Sequence, residues 1–299
     1  MSIQSLLRVY IRGFCMGVAD LIPGVSGGTI AFITGIYGRL LAAISAFSLP
    51  LLWRKLWRRK IAEVWRLADG GFLLVLAAGI LSAVLILGDV LHYLLREQAH
   101  LLLAFFCGLV LMSAFFVARQ MHAPSWRHLI WGIVGGVLAF WLVTQSWSTM
   151  MPSLFNLFAG GAVAICAMLL PGISGSYILL VMGLYGAVIT ALHEREIILL
   201  LVFAAGCGTG LLLFARLLSY LISRWHDIMI AFLCGVMLGA LPKLWPWKEQ
   251  AAGLKIILQP NVLPSAFVGE PQILAALVLA LVGGGLVLVL QMFARSRPD

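Results

Sequence analysis

The chain has 299 residues, of which 63% are hydrophobic and only 10% are charged, and its mean hydropathy is +1.07. A soluble domain carries about 25% charged residues, so this composition excludes a water-soluble globule and points to an integral membrane protein. The 20 Lys and Arg against 11 Asp and Glu fit basic cytoplasmic loops beside anionic lipid, and no nucleic-acid partner is expected.

The N-terminus carries Arg8 and Arg12 ahead of an apolar run. That run meets Asp20 and Pro23-Gly24 where a signal peptide would have a small-x-small cleavage site, so it reads as retained. Gly13–Ser45 is one long apolar unit, too long for a single crossing of about 20 residues and too short for two plus a turn. Its interruption at Pro23-Gly24-Val25-Ser26-Gly27 predicts a re-entrant helical hairpin turning at mid-membrane. Residues 50–66 then place Trp53, Trp57, Ile61 and Trp65 on one helical stripe among Arg54, Lys55, Arg58 and Arg59, which predicts a basic helix lying at the membrane interface. Spans are expected at 71–95, 101–118 and 129–147. A second long unit, Gly161–His193, is broken by Pro171-Gly172-Ile173-Ser174-Gly175, and spans at 197–222, 228–242 and 271–293 follow.

The two long units are copies. Pro23-Gly24-Val25-Ser26-Gly27-Gly28 and Gly35-Ile36-Tyr37-Gly38 recur 148 positions later as Pro171-Gly172-Ile173-Ser174-Gly175-Ser176 and Gly183-Leu184-Tyr185-Gly186. Val75-Leu76-Ala77-Ala78-Gly79 recurs as Val202-Phe203-Ala204-Ala205-Gly206 at an offset of 127. Repeats of this kind are an architectural signature. With three spans in each half, an odd number, the second half is inverted relative to the first. The expected fold class is an all-α polytopic membrane protein of two inverted repeats, 1–148 and 149–299, each a re-entrant helical hairpin plus three transmembrane helices. With both termini cytoplasmic, 15 basic residues fall inside. Only Arg96, Arg195, Lys243, Lys248 and Lys255 fall outside, as the positive-inside rule requires.

In this topology the two Pro-Gly-x-Ser-Gly turns meet near the midplane. Proline ends the first half-helix and glycine permits the turn. Ser26 and Ser174 stand where they can cap the second half-helix. Two half-helix N-termini then direct N–H groups and positive dipole ends at one spot, which suits an anion such as a carboxylate or phosphate. The candidate binding residues are Gly24, Ser26, Gly27, Gly28 and Thr29 with Gly172, Ser174, Gly175 and Ser176.

Asp20 is the one acid ahead of either turn, and its counterpart is Met168. A charge at membrane depth usually marks a site. Asp20 either holds a travelling H+ or Na+ or accepts hydrogen bonds from the turn's own N–H groups. Arg39 at the base of the first hairpin either receives an anionic headgroup or anchors the inner face. Tyr37 and Tyr185 are expected to pack at the hairpin bases. The five cysteines lack ligand spacing and read as small packing residues. The six histidines also lack ligand spacing, so no metal is expected. No nucleotide, flavin or zinc-hydrolase motif is present, and no cofactor is expected beyond a coupling ion.

At these residues, above all Gly17-Val18-Ala19-Asp20-Leu21-Ile22-Pro23-Gly24-Val25-Ser26-Gly27-Gly28-Thr29-Ile30 and Leu170-Pro171-Gly172-Ile173-Ser174-Gly175-Ser176, the chain resembles a bacterial family of polyprenyl-phosphate transporters. The match covers essentially the whole chain. It implies a flippase of the bacterial cytoplasmic membrane that returns undecaprenyl phosphate from the outer to the inner leaflet for cell-wall precursor synthesis. Its partner would be the polyprenyl phosphate lipid, with assembly into homo-oligomers left open. Two other readings compete. The turn is similar to that of membrane undecaprenyl-diphosphate phosphatases, but Gly175 stands where those enzymes need arginine and neither hairpin holds a glutamate. A small-anion carrier would share the half-helix logic.

Overall fold

The computed structural model describes residues 3–22, 26–144, 150–249 and 258–295. The first half runs α1 (Ile3–Asp20), α2 (Gly27–Ile33), α3 (Tyr37–Ser45), two short helices α4 (Pro50–Trp57) and α5 (Ile61–Leu67), then the long α6 (Gly70–Glu97), α7 (Ala99–Ala118) and α8 (Trp126–Thr144). The second half repeats this order without the short pair. It runs α9 (Leu154–Leu169), α10 (Gly175–Val181), α11 (Tyr185–His193), α12 (Ile197–Arg224), α13 (His226–Ala240) and α14 (Ile273–Arg295). Counterparts match in length: α2 and α10 have 7 residues each, α3 and α11 have 9, and α6 and α12 have 28.

Among the described residues, six helices are long and apolar enough to cross a membrane, namely α6, α7, α8, α12, α13 and α14. The chain is therefore a multi-pass membrane protein. The short segment expected at 228–242 gains a 3-10 turn, so the apolar stretch runs from His226 to Leu244 over 19 residues. The outward faces of these helices are bare apolar surface, with Leu85 83% and Leu281 76% exposed. Water would not tolerate such a belt, whereas lipid solvates it.

The helices pair in two ways. α1 lies along α6 in the same direction, with Gly13 against Leu76 and Gly17 against Ile80. α9 lies along α12 likewise, with Gly161 against Phe203 and Gly210 against Ala162. The other pairs cross between halves, α7 with α14 and α8 with α13. In α8 and α13, Gly132 and Gly136 face Gly235 and Gly239 so closely that a Cβ on either α13 residue would strike the α8 backbone. Lipid supplies no hydrophobic drive between helices, so this small-residue contact and its dispersion energy hold the halves together.

Each Pro-Gly unit has two breaks where the sequence predicts one. α9 and α10 fold back on each other, Gly175 against Ala164 and Gly160 against Leu179 and Leu184. A second corner then bends α2 to α3 by 117° and α10 to α11 by 105°. Gly35 and Gly183 occupy these corners at φ 75° and 74°, a left-handed conformation that glycine adopts without a Cβ clash. The leading limbs also start earlier than expected, at Ile3 and Leu154.

The basic segment is not one helix either. It breaks at Arg58–Lys60, where Arg59 has φ 54°, and Glu63 clamps the corner by ion pairs to Lys55 and Lys60 at 2.9 Å each. The break abolishes the single stripe, although Trp53, Trp57, Ile61 and Trp65 all remain exposed.

Candidate functional site

Among the described residues, three hydrogen bonds tie the first Pro-Gly unit to the second. Ser26 donates its hydroxyl to the Met168 carbonyl at 3.0 Å. Thr29 Oγ1 accepts the Gly172 N–H at 3.0 Å, and Tyr37 donates to the Leu169 carbonyl at 2.8 Å. Ser26 and Thr29 are wholly buried. Gly28 rests on the Met168 and Leu169 carbonyls, close enough that a Cβ would crowd them. Gly24 lies outside the described residues.

The first turn satisfies its own half-helix. Asp20 Oδ1 accepts the Gly27 N–H at 2.6 Å, Ser26 Oγ accepts the Gly28 N–H at 3.1 Å, and the Thr29 N–H reaches the Ser26 carbonyl. Asp20 thus sits at the α2 N-terminus, where a guest anion would sit.

The second turn is different, and here the expectation that Ser174 caps its helix is corrected. Ser174 makes no side-chain cap on α10. Its hydroxyl instead bonds Ser176 Oγ at 2.8 Å. The reason is local chemistry: Ser176 replaces Gly28, so a side-chain hydroxyl competes for Ser174 where the first turn offers only a backbone N–H. Met168 stands in the place of Asp20, so this turn has no carboxylate of its own. Gly172 has φ 91° and packs on the Met237 backbone. Gly175 is buried, and a Cβ there would lie 2.7 Å from the Ala164 carbonyl, which leaves no space for the arginine a phosphatase requires.

Beside the second turn lies a cavity of about 510 Å³, lined among others by Leu142, Ala159, Val163, Leu170, Ile173 and Phe214. Its lining is almost wholly apolar, and the one amide, Asn156, already donates to the Met151 carbonyl. Phe155 and Val163 carry it to the exposed face of α9. The volume falls in the range of about 300–1,000 Å³ that holds a drug-sized ligand.

Arg39 is engaged elsewhere. It binds Asp69 through Nε at 2.6 Å and Nη2 at 3.2 Å and lies 4.4 Å over the Phe72 ring, so its charge ties α3 to the start of α6. Three features are not legible along the chain. Tyr37 bridges the halves where it was expected only to pack. Gln291 donates to the Ile33 carbonyl at the end of α2, and an amide in an apolar span was the available signal. His122, His226 and Asp227 converge in space, although the histidines lack ligand spacing along the chain. Both rings approach Asp227 Oδ1, at 3.1 and 3.0 Å.

A family model described as VCA0040-like, undecaprenyl phosphate translocase-like, matches residues 16–257. A protein of Vibrio cholerae named polyprenyl-phosphate transporter is 41% identical over 305 residues, covering 98% of each chain. A protein of Staphylococcus aureus with the same name is 28% identical over 255 residues, covering 79% of this chain and 85% of its own. These relatives are named transporters rather than enzymes. No solved structure matches the chain.

Proposed function

The chain belongs to the undecaprenyl phosphate translocase-like family, and from that membership and the geometry of the turns we propose that it carries polyprenyl phosphate across the bacterial cytoplasmic membrane. The observation that carries this reading is the apolar cavity against the second turn. A small soluble anion has no use for it. A lipid phosphate needs a polar site for its head and an apolar, laterally open space for its first isoprene units, and these two environments adjoin at Leu170 and Ile173.

In this reading the two Pro-Gly units are re-entrant hairpins of inverted repeats, the second opening to the outer leaflet. The charge asymmetry supports both termini being cytoplasmic. The headgroup loads at the second turn, with Ser174, Ser176 and the backbone around Gly175 as donors, and passes to Ser26, Gly27, Gly28 and Thr29. There it meets Asp20, which already holds the Gly27 N–H. Two anions cannot share that donor. An H+ or Na+ on Asp20 removes the conflict, so Asp20 couples transport to the ion. Inward movement of the lipid's charge opposes an interior-negative potential by about 2.3 kcal/mol per charge per 100 mV, which is why a coupling ion, or consumption of the lipid inside, is needed. The delivered lipid serves cell-wall precursor synthesis.

The test is translocation in proteoliposomes. A fluorescent polyprenyl phosphate should become protected from an outside quencher faster with protein than without it, and the matching polyprenol should not. Equal rates for phosphate and alcohol, or no acceleration over protein-free vesicles, would sink the reading.

A further inference from the structure

The segment that ends α13 brings a cation to the second hairpin. Lys243, in the 3-10 turn Leu241–Leu244, holds its ammonium 4.8 Å from the centre of the Tyr177 ring. Tyr177 is buried in α10 and fixed by a hydrogen bond from its hydroxyl to the Val143 carbonyl. It directly follows Ser176. The ring face attracts the ammonium, but it carries no charge to neutralise it.

Lys248, five residues on, adds a second cation. It is 3% exposed, and its Nζ donates to the Pro242 carbonyl at 3.2 Å and to Asn261 Oδ1. Burial pushes the Lys248 ammonium down to about 8, and the charge of Lys243 pushes the same way. Both cations thus gather at the Pro242 turn. Among the described residues neither has a carboxylate within ion-pair distance. The hairpin from 150 to 193 contains no acid, nor does α8, and the acid of α13 is Asp227 at its opposite end.

Lys248 spends its donors on fixed oxygens, whereas among the described residues Lys243 meets only an aromatic face. A half-buried cation in that state, on the ring of the residue that follows Ser176, is matched to an anion. We propose that Lys243 is the capture residue for a phosphomonoester headgroup, holding it at the second hairpin between the Tyr177 ring and the Ser174–Ser176 hydroxyl pair. This rests on the reading that the second turn handles phosphate. Lys248 is the supporting charge, which holds the Pro242 turn and raises the local positive potential without touching the ligand.

The experiment measures binding to purified protein in nanodiscs of neutral lipid, using the change in tryptophan emission, to which Trp245 and Trp247 between the two lysines contribute. The probes are a polyprenyl phosphate, its polyprenol and inorganic phosphate. Lys243→Met should weaken polyprenyl phosphate by about tenfold or more and leave polyprenol unchanged, which also shows that the variant is folded. Lys243→Arg should retain most of the affinity. If the unaltered protein prefers polyprenyl phosphate over polyprenol but Lys243→Met binds it just as tightly, the assignment of Lys243 is overturned while the transport reading stands. If the unaltered protein shows no such preference, both fall. Inorganic phosphate bound as tightly as the lipid, and lost with Lys243→Met, would keep Lys243 as an anion site but overturn its assignment to a lipid headgroup.

Discussion

Thr29 accepts the backbone N–H of Gly172 at 3.0 Å, so a hydroxyl from the first half of the chain holds the turn of the second. The pair is buried, and loss of the acceptor would strand a donor where no water replaces it. Thr29→Val keeps the shape and removes the oxygen. It should cost about 1–3 kcal/mol, lowering the unfolding midpoint in detergent, and Thr29→Ser should restore most of the loss. An unaltered midpoint for Thr29→Val would mean that the turns are not held by this contact.

Asp20 separates structure from coupling. In Asp20→Asn the new amide would still offer its Oδ1 to the Gly27 N–H, so the turn should survive and the unfolding midpoint should change little. The charge is gone, so transport should lose its dependence on pH and Na+. Wild-type dependence on both ions in Asp20→Asn proteoliposomes would remove Asp20 from the coupling step and leave it as a helix cap. Gly27→Ala tests the same corner sterically, because its Cβ would fall 2.5 Å from Asp20 Oδ2 and displace the carboxylate.

The repeated helix order and the long apolar helices are legible in the chain because lipid imposes simple rules on length and composition, and because Pro-Gly breaks a helix wherever it falls. The second corner at Gly35 and Gly183 was present in the repeat as Gly-x-Tyr-Gly, but a glycine in an apolar run signals close packing as readily as a bend. Contacts between halves follow no spacing rule. Nothing along the chain links Tyr37 to a carbonyl 132 positions away. The divergence of the turns was encoded in Gly28 against Ser176 and Asp20 against Met168. Its effect, one capped half-helix and one without a side-chain cap, depends on which hydroxyl reaches which donor.

Glu63 predicts a pH response at the interfacial corner between α4 and α5. Hydrogen bonds from Lys60 and then Lys55 hold its carboxyl down at about 2, below the ordinary value of about 4.3. A depressed carboxylate contributes stability that is present above its unfolded value and is lost as pH falls towards the folded one. The corner should therefore loosen between about pH 4 and pH 2. The protection of amides over residues 50–67, relative to their intrinsic exchange rate at each pH, should fall in that window, and Glu63→Gln should show the lower protection at neutral pH. No difference between the variant and the unaltered protein at neutral pH would show that the clamp does not hold the corner. Because Glu63 is solvent-exposed, added salt should weaken the clamp in the same direction.

The cavity beside the second turn predicts how substrate length is sensed. Ala159 lines it from α9, and Ala159→Phe would fill part of its volume with a ring. The ring faces apolar neighbours and a lipid-open space, so the fold should tolerate it better than a fully enclosed overpacked core, where the cost is about 1–3 kcal/mol. The lipid should not: transport of a long polyprenyl phosphate should fall severalfold, while a phosphate lipid with only one or two isoprene units loses much less. That length dependence separates tail exclusion from damage to the headgroup site, which would depress both lipids equally. Equal losses in the translocation assay, with an unchanged unfolding midpoint, would move the tail out of this cavity and remove the observation that favours a lipid over a small anion.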